Sequence, residues 1–137
     1  MKTIVVGYDG TEASERALAR AADIAGAFGS SVILMSVSPV MTGAAHGGGT
    51  LDPTDPPEEH ESMLAAGRDK LSERGVQAEV VLGVGDAAEA IVELAGQRSA
   101  DLIVVGTREP GFFERLLGHS VSESVQRHAR CDVLIVH

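Results

Sequence analysis

Three short stretches carry side chains that could meet a charged ligand: Gly7-Tyr8-Asp9-Gly10, Gly106-Thr107-Arg108 and His119-Ser120-Val121. The second follows a run of Val and Ile, and the third opens a helical pattern. A strand that feeds a loop and then a helix N-terminus collects unpaired backbone N–H groups at one point, a ready site for an anion such as phosphate. Asp9 sits at a strand-to-helix turn, where it can form an Asx turn, cap the helix, or contact a ligand. Gly106 either makes a plain turn or lets a ligand approach the backbone. Arg108 is a natural phosphate partner, although pairing with Glu109 or Glu114 explains it as well.

No catalytic constellation accompanies these residues. The five histidines, His46, His60, His119, His128 and His137, show neither His-Glu-x-x-His nor a paired Cys/His spacing, so the pattern offers no metal site. Cys131 opens an apolar strand, which points to burial rather than nucleophilic work. Glu58-Glu59 lies at a helix start, where acidic side chains favour the helix dipole.

The elements that must position the three stretches are legible from periodicity. Thr3–Tyr8, Val32–Val37, Val76–Leu82, Leu102–Val105 and Val133–Val136 are Val/Ile-rich with little polar alternation, as strands buried on both faces of a parallel sheet should be. Between them Ala17, Leu18, Ala21, Ile24, Ala25 and Phe28 share one helix face, and Ala87, Ala90, Ile91, Leu94 and Ala95 another. Met63, Leu64 and Leu71 mark a further helix, and Val121, Val125 and Ala129 the last. Thr11, Asp86 and Ser120 read as N-caps, Gly29 and Gly75 as stops. The order βαβαβαβαβ predicts one α/β domain over residues 1–137, a three-layer doubly wound fold on a five-stranded, mainly parallel sheet. Residues 38–57 hold four of the five prolines and Gly47-Gly-Gly49, and are expected to form a flexible loop, as linker or lid.

Composition bounds the function. A formal net charge of −9 argues against broad binding to nucleic acid or anionic membrane. No apolar run reaches the roughly 18 residues of a spanning helix, and the N-terminal apolar run ends at Asp9, too early for a signal peptide. One cysteine among 137 residues forms no internal disulfide, so a cytoplasmic location is expected.

Ile4-Val-Val-Gly-Tyr-Asp-Gly-Thr-Glu-Ala-Ser, Ala100-Asp-Leu-Ile-Val-Val-Gly-Thr-Arg, and Ser120-Val-Ser-Glu with Cys131-Asp-Val-Leu-Ile-Val resemble the universal stress protein (UspA) family over the whole chain. The resemblance implies an adenine nucleotide alpha hydrolase-like fold and a homodimer joined through the last strand, Asp132 to Val136. It implies a stress-response regulator that binds ATP or another adenine nucleotide, with Mg2+ as a potential companion, and at most slow ATP hydrolysis. The pocket it implies is built from Asp9, Val37, Gly106, Thr107, Arg108, His119, Ser120 and Val121, with Val37 acting through its backbone. Nucleotide-binding members carry Gly-x2-Gly-x9-Gly-[Ser/Thr]. Here the pattern begins at Gly106, meets Glu109 and His119 at the second and third glycines, and recovers at Ser120. Glu109 opposes a phosphate tail, so the alternative is a dimeric interaction or chaperone-like protein that binds no nucleotide, with a protein partner of unspecified kind.

Overall fold

Ile4, Val5 and Val6 are each fully buried, and so are Ile103 and Val104. Only a strand covered on both faces does that, and these two strands are the centre of the sheet. The computed structural model describes residues 1–38, 57–107 and 121–137. The 38–57 loop, apart from its two end residues, lies outside them. The strands are β1 (Thr3–Gly7), β2 (Ser31–Ser38), β3 (Ala78–Val84), β4 (Leu102–Gly106) and β5 (Asp132–Val136). They lie in the order β3-β2-β1-β4-β5, and all four pairings are parallel. The helices are α1 (Glu12–Phe28), α2 (Pro57–Glu73), α3 (Ala87–Gln97) and α4 (Val121–His128).

Strand alternation divides the core in two. Ile4, Val6, Leu34 and Val104 face α1 and α2, where Ala17, Leu18, Leu64 and Leu71 meet them. Val5, Ile33, Ile103 and Val105 face α3 and α4, meeting Ala88, Ile91, Leu94 and Val125. The expected three-layer doubly wound α/β architecture is therefore present, with every described pairing parallel.

Local chemistry sets the ends. The Thr11 hydroxyl accepts from the Ser14 N–H, and the Asp86 carboxylate from the Glu89 N–H, so two of the three expected N-caps act as such, and the third, Ser120, lies outside the described residues. Gly29 (φ 67) closes α1 and Gly75 (φ 74) follows α2. After α2 the Val76 N–H returns to the Leu71 carbonyl at 2.9 Å and the Gly75 N–H to that of Ser72. Val76 and Leu71 are both buried in the same cluster. This is a Schellman closure with its hydrophobic contact, and it consumes Val76. The third strand accordingly runs Ala78–Val84 rather than the expected Val76–Leu82.

α3 closes the same way without a glycine. Ala100 donates to the Ala95 carbonyl, and Ser99 holds the left-handed position at φ 51. A side chain there is strained. Ser99→Gly is expected to stabilise the chain by about 0.5–1 kcal/mol, raising Tm by about 2–4 °C in calorimetry.

At the amino ends of the central strands, the Asp101 carboxylate accepts from the Lys2 and Thr3 N–H groups at 2.8 and 3.0 Å. The Thr3 N–H, then that of Lys2, hold this carboxyl below the usual carboxylate range. A lowered folded pKa means a contribution fully present above about pH 4 and lost as pH falls through the folded value. The stability gap between wild type and Asp101→Asn in urea titrations should therefore shrink as the pH is lowered from about 6 towards 2.

Candidate functional site

From β1 the chain winds outward one way through β2 to β3, and the other way through β4 to β5. The strand order thus switches between β1 and β4, and a crevice opens beyond their carboxyl ends, where ligands of open α/β sheets bind.

The loop after β1 is tightly specified. Asp9 Oδ1 accepts from both the N–H and the hydroxyl of Thr11, at 3.1 and 2.6 Å, an Asx turn that leads into the capped start of α1. The Asp9 N–H donates to Ser14 Oγ at 3.3 Å. Gly10 has φ 78, and a Cβ there would lie 2.7 Å from Met63 Sδ. Behind the loop, buried Tyr8 donates its hydroxyl to the Glu15 carboxylate, which also accepts from Lys70 Nζ at 2.9 Å. Burial first, then Glu15, pushes the tyrosine hydroxyl well above its ordinary range, so it stays a proton donor. Gly67 lets α2 close on this ring, since a Cβ would stand 3.0 Å from Tyr8 Cε2.

The other wall is β4, and its last residue explains itself. A Cβ on Gly106 would come within 2.3 Å of the Ala13 carbonyl oxygen. Glycine is required because the first turn of α1 crosses the end of β4 there, a reason beyond the turn or ligand approach expected from sequence.

β2 supplies the third wall. The Tyr8 N–H donates to the Met35 carbonyl at 2.9 Å, while the Ser38 carbonyl accepts from Gly85 on the opposite side. Alternate residues of a parallel strand turn N–H and C=O the same way, so Val37 follows Met35 and faces past the end of β1. Its backbone groups look into the crevice.

These walls enclose a cleft of about 90 Å³ whose lining includes Asp9, Val37, Gly106 and Val121. Met35, Ile91 and Val105 make an apolar floor, and Asp9, Thr11 and Ser122 a polar mouth. Sequence reasoning missed Met35, Ala87, Ile91 and Ser122. The signal for Ala87 and Ile91 was the turn after β3 at Gly85-Asp86, another strand carboxyl end. Ile91 reaches the floor because Gly7 has no side chain: a Cβ would be 2.9 Å from Ile91 Cδ1.

Thr107 goes elsewhere. Its N–H and hydroxyl both donate to the Val136 carbonyl, at 2.9 and 3.1 Å, extending the β4–β5 ladder beyond Gly106. Arg108, Glu109, His119 and Ser120 lie outside the described residues. Among the described residues there is no cluster of three or more His, Cys, Asp or Glu that could hold a metal. Burial, then the nearby Asp132 and Asp101, pushes the Cys131 thiol up, which disfavours the thiolate.

A larger hollow, about 790 Å³, lies at the amino ends of the strands. Size does not make it the site. The carboxyl end of α2 borders it, which disfavours anions, and its Arg98 is held in a two-pronged pair with Glu79.

Fold and cleft define a doubly wound α/β protein with a polar-mouthed cleft at the strand-order switch. The chain belongs to the universal stress protein family, whose family match spans residues 1–137. It is 38% identical to Universal stress protein Rv1636 of Mycobacterium tuberculosis, over 99% of this chain and 96% of that protein. It is 36% identical to Universal stress protein MJ0531 of Methanocaldococcus jannaschii, over 98% and 81%. Among solved structures, a universal stress protein in complex with cAMP aligns with a TM-score of 0.78 and 32% identity, covering 99% of this chain and 97% of the other. The Archaeoglobus fulgidus universal stress protein in complex with dAMP aligns at 0.79 and 26%, covering 100% and 98%. Among the described residues no helix is long and apolar enough to cross a membrane.

Proposed function

We propose that this chain is a cytoplasmic stress-response regulator that binds an adenine nucleotide in the cleft between the ends of β1 and β4. One observation carries the reading: the Val37 backbone, the Asp9 carboxylate and the start of α4 converge on a single apolar-floored cleft. The Val37 N–H and C=O suit the polar edge of a purine, which needs both a donor and an acceptor. Asp9 suits ribose hydroxyls, and the α4 N-terminus suits phosphate. Relatives of the same fold in complex with cAMP and dAMP support it. Any Mg2+ would arrive with the phosphates, since the described residues offer no metal cluster.

A short tail should be preferred. Glu109 stands where nucleotide-binding relatives are expected to carry glycine, and a carboxylate about 4 Å from a phosphate charge opposes it by up to ~4 kcal/mol at an effective dielectric near 20. Calorimetry with AMP, cyclic AMP and ATP at up to millimolar ligand tests the reading. Heat is expected with AMP or cyclic AMP and weaker binding of ATP. No heat with any of the three leaves the interaction-protein reading in its place.

The working form is a homodimer through β5. Among the described residues this strand pairs only with β4, so its outer edge has no described partner for its backbone groups. The Val136 carbonyl points inward to Thr107, so Val133 and Ile135 turn N–H and C=O outward. Pairing with a second copy about a two-fold axis satisfies them. Light scattering at tens of micromolar should return a two-chain mass, and a monomer would contradict it.

A further inference from the structure

Side-chain alternation decides what β2 and β3 place beside the cleft. Ile33 and Met35 of β2 face α3 and α4, with Val37 and Val81 packed against the same cluster. Met35 is in register with Gly7 on one side and Val81 on the other. Gly83 follows Val81 by two residues, so it shares that face one step nearer the carboxyl ends. Met35 thus has one glycine level with it on β1 and a second diagonally ahead on β3.

The two gaps are filled differently. A Cβ on Gly7 would meet Ile91 Cδ1 at 2.9 Å and Val105 Cγ1 at 3.2 Å, and no Met35 atom is among its nearest neighbours. A Cβ on Gly83 would meet the Met35 methyl at 2.6 Å, then Val37 Cγ2 at 3.5 Å and Ala90 Cβ at 3.6 Å. The Met35 side chain therefore leans away from β1 and rests its tip over Gly83. Gly83 itself does not line the cleft, whereas Met35 belongs to its apolar floor. An unbranched thioether turns readily, so the space offered to it sets where it rests. Val37 and Ala90 flank Gly83 on the far side, and Val81 precedes it on the same face. A methyl group on Gly83 would send the Met35 tip back towards Gly7, into the cleft.

We propose that Gly83 is a positioning residue for the nucleotide: it takes up the Met35 methyl and so keeps the cleft floor deep enough for the base. The inference rests on the nucleotide reading above and names what sets the depth of that site. Met35 and Val37 line the same wall, so a base held by the Val37 backbone is the part of the ligand nearest the Met35 side chain. Gly83 is not among the left-handed glycines, so alanine there meets no backbone strain and its effect is read through Met35.

Calorimetry with AMP and cyclic AMP on the full chain tests the inference. Gly83→Ala should weaken binding about 10- to 100-fold, the scale of one misplaced methyl group in an apolar pocket. In a Met35→Val background, where the long tip is gone, the same Gly83→Ala change should cost less than about 3-fold. Full affinity in Gly83→Ala, or an equal loss in both backgrounds, would overturn the role of Gly83 while the nucleotide reading stood. A wild type that gives heat with neither ligand would remove both. The resting place of the tip is read without any Gly83 variant. In protein labelled at the methionine and alanine methyls, NMR should show a cross-peak between Met35 and Ala90 that persists when nucleotide is added. Absence of that cross-peak, or its loss on binding, would overturn the inference even if Gly83→Ala failed to fold.

Discussion

Replacing Gly106 with alanine is expected to cost at least about 3 kcal/mol of stability, the largest loss from adding one methyl group anywhere in the described sheet. The reason is what the methyl would strike. At Gly83 the nearest atom is the Met35 methyl, the far end of a flexible side chain that can swing aside. At Gly106 it is the Ala13 carbonyl at 2.3 Å, part of a hydrogen-bonded helix. Relief requires α1 to lift from the sheet, and Ala17 and Ala21 beneath it are fully buried. A domain of this kind holds about 5–15 kcal/mol in all, so the variant keeps little reserve. The same lift displaces Thr11 and the Asp9 loop, so nucleotide affinity should fall at least about tenfold in parallel. Gly26→Ala is the control. It lies in the same helix with nothing within 4 Å of the added methyl, and should stabilise by about 0.5–1 kcal/mol. Urea unfolding measures both, and a Gly106→Ala midpoint equal to wild type would refute the crossing-helix explanation.

What sequence could and could not say divides along one line. Features fixed by neighbours in the chain were legible. Thr11 and Asp86 cap because a hydroxyl or carboxylate before a helical pattern has free N–H groups within reach. The Val/Ile runs signalled parallel strands because burial on both faces leaves no room for polar alternation. Features fixed by partners distant in the chain were not legible. Val76 reads as strand until Leu71 accepts its N–H. Thr107 reads only as part of a pocket loop, and its bond to the Val136 carbonyl is visible once β5 is placed beside it. Ile91 reads as ordinary helix core, and becomes cleft floor only because Gly7 leaves a gap beneath it. Asp9 is the intermediate case. Its turn chemistry was legible, but its position beside Val37 and Gly106 follows from the strand order.

Asp9 also gives the second large effect, and two substitutions separate its roles. Asp9→Ala should weaken adenine-nucleotide binding about 10- to 100-fold, the range expected for a charge-assisted hydrogen bond to a ribose hydroxyl. It should also cost about 1 kcal/mol of stability, because Oδ1 no longer holds the Thr11 N–H and hydroxyl that lead into α1. Asp9→Asn keeps an oxygen for that turn and exchanges the other for an N–H donor. Its stability should stay within about 0.5 kcal/mol of wild type while binding falls about tenfold, since a ribose hydroxyl then loses its charged acceptor. The ligand completes the cycle. A 2′,3′-dideoxyadenosine monophosphate should bind wild type more weakly than AMP does, and bind Asp9→Ala no more weakly than AMP binds that variant. Equal affinity of the wild type for AMP and the dideoxy analogue would remove ribose from the role of Asp9 and leave the residue a turn former alone.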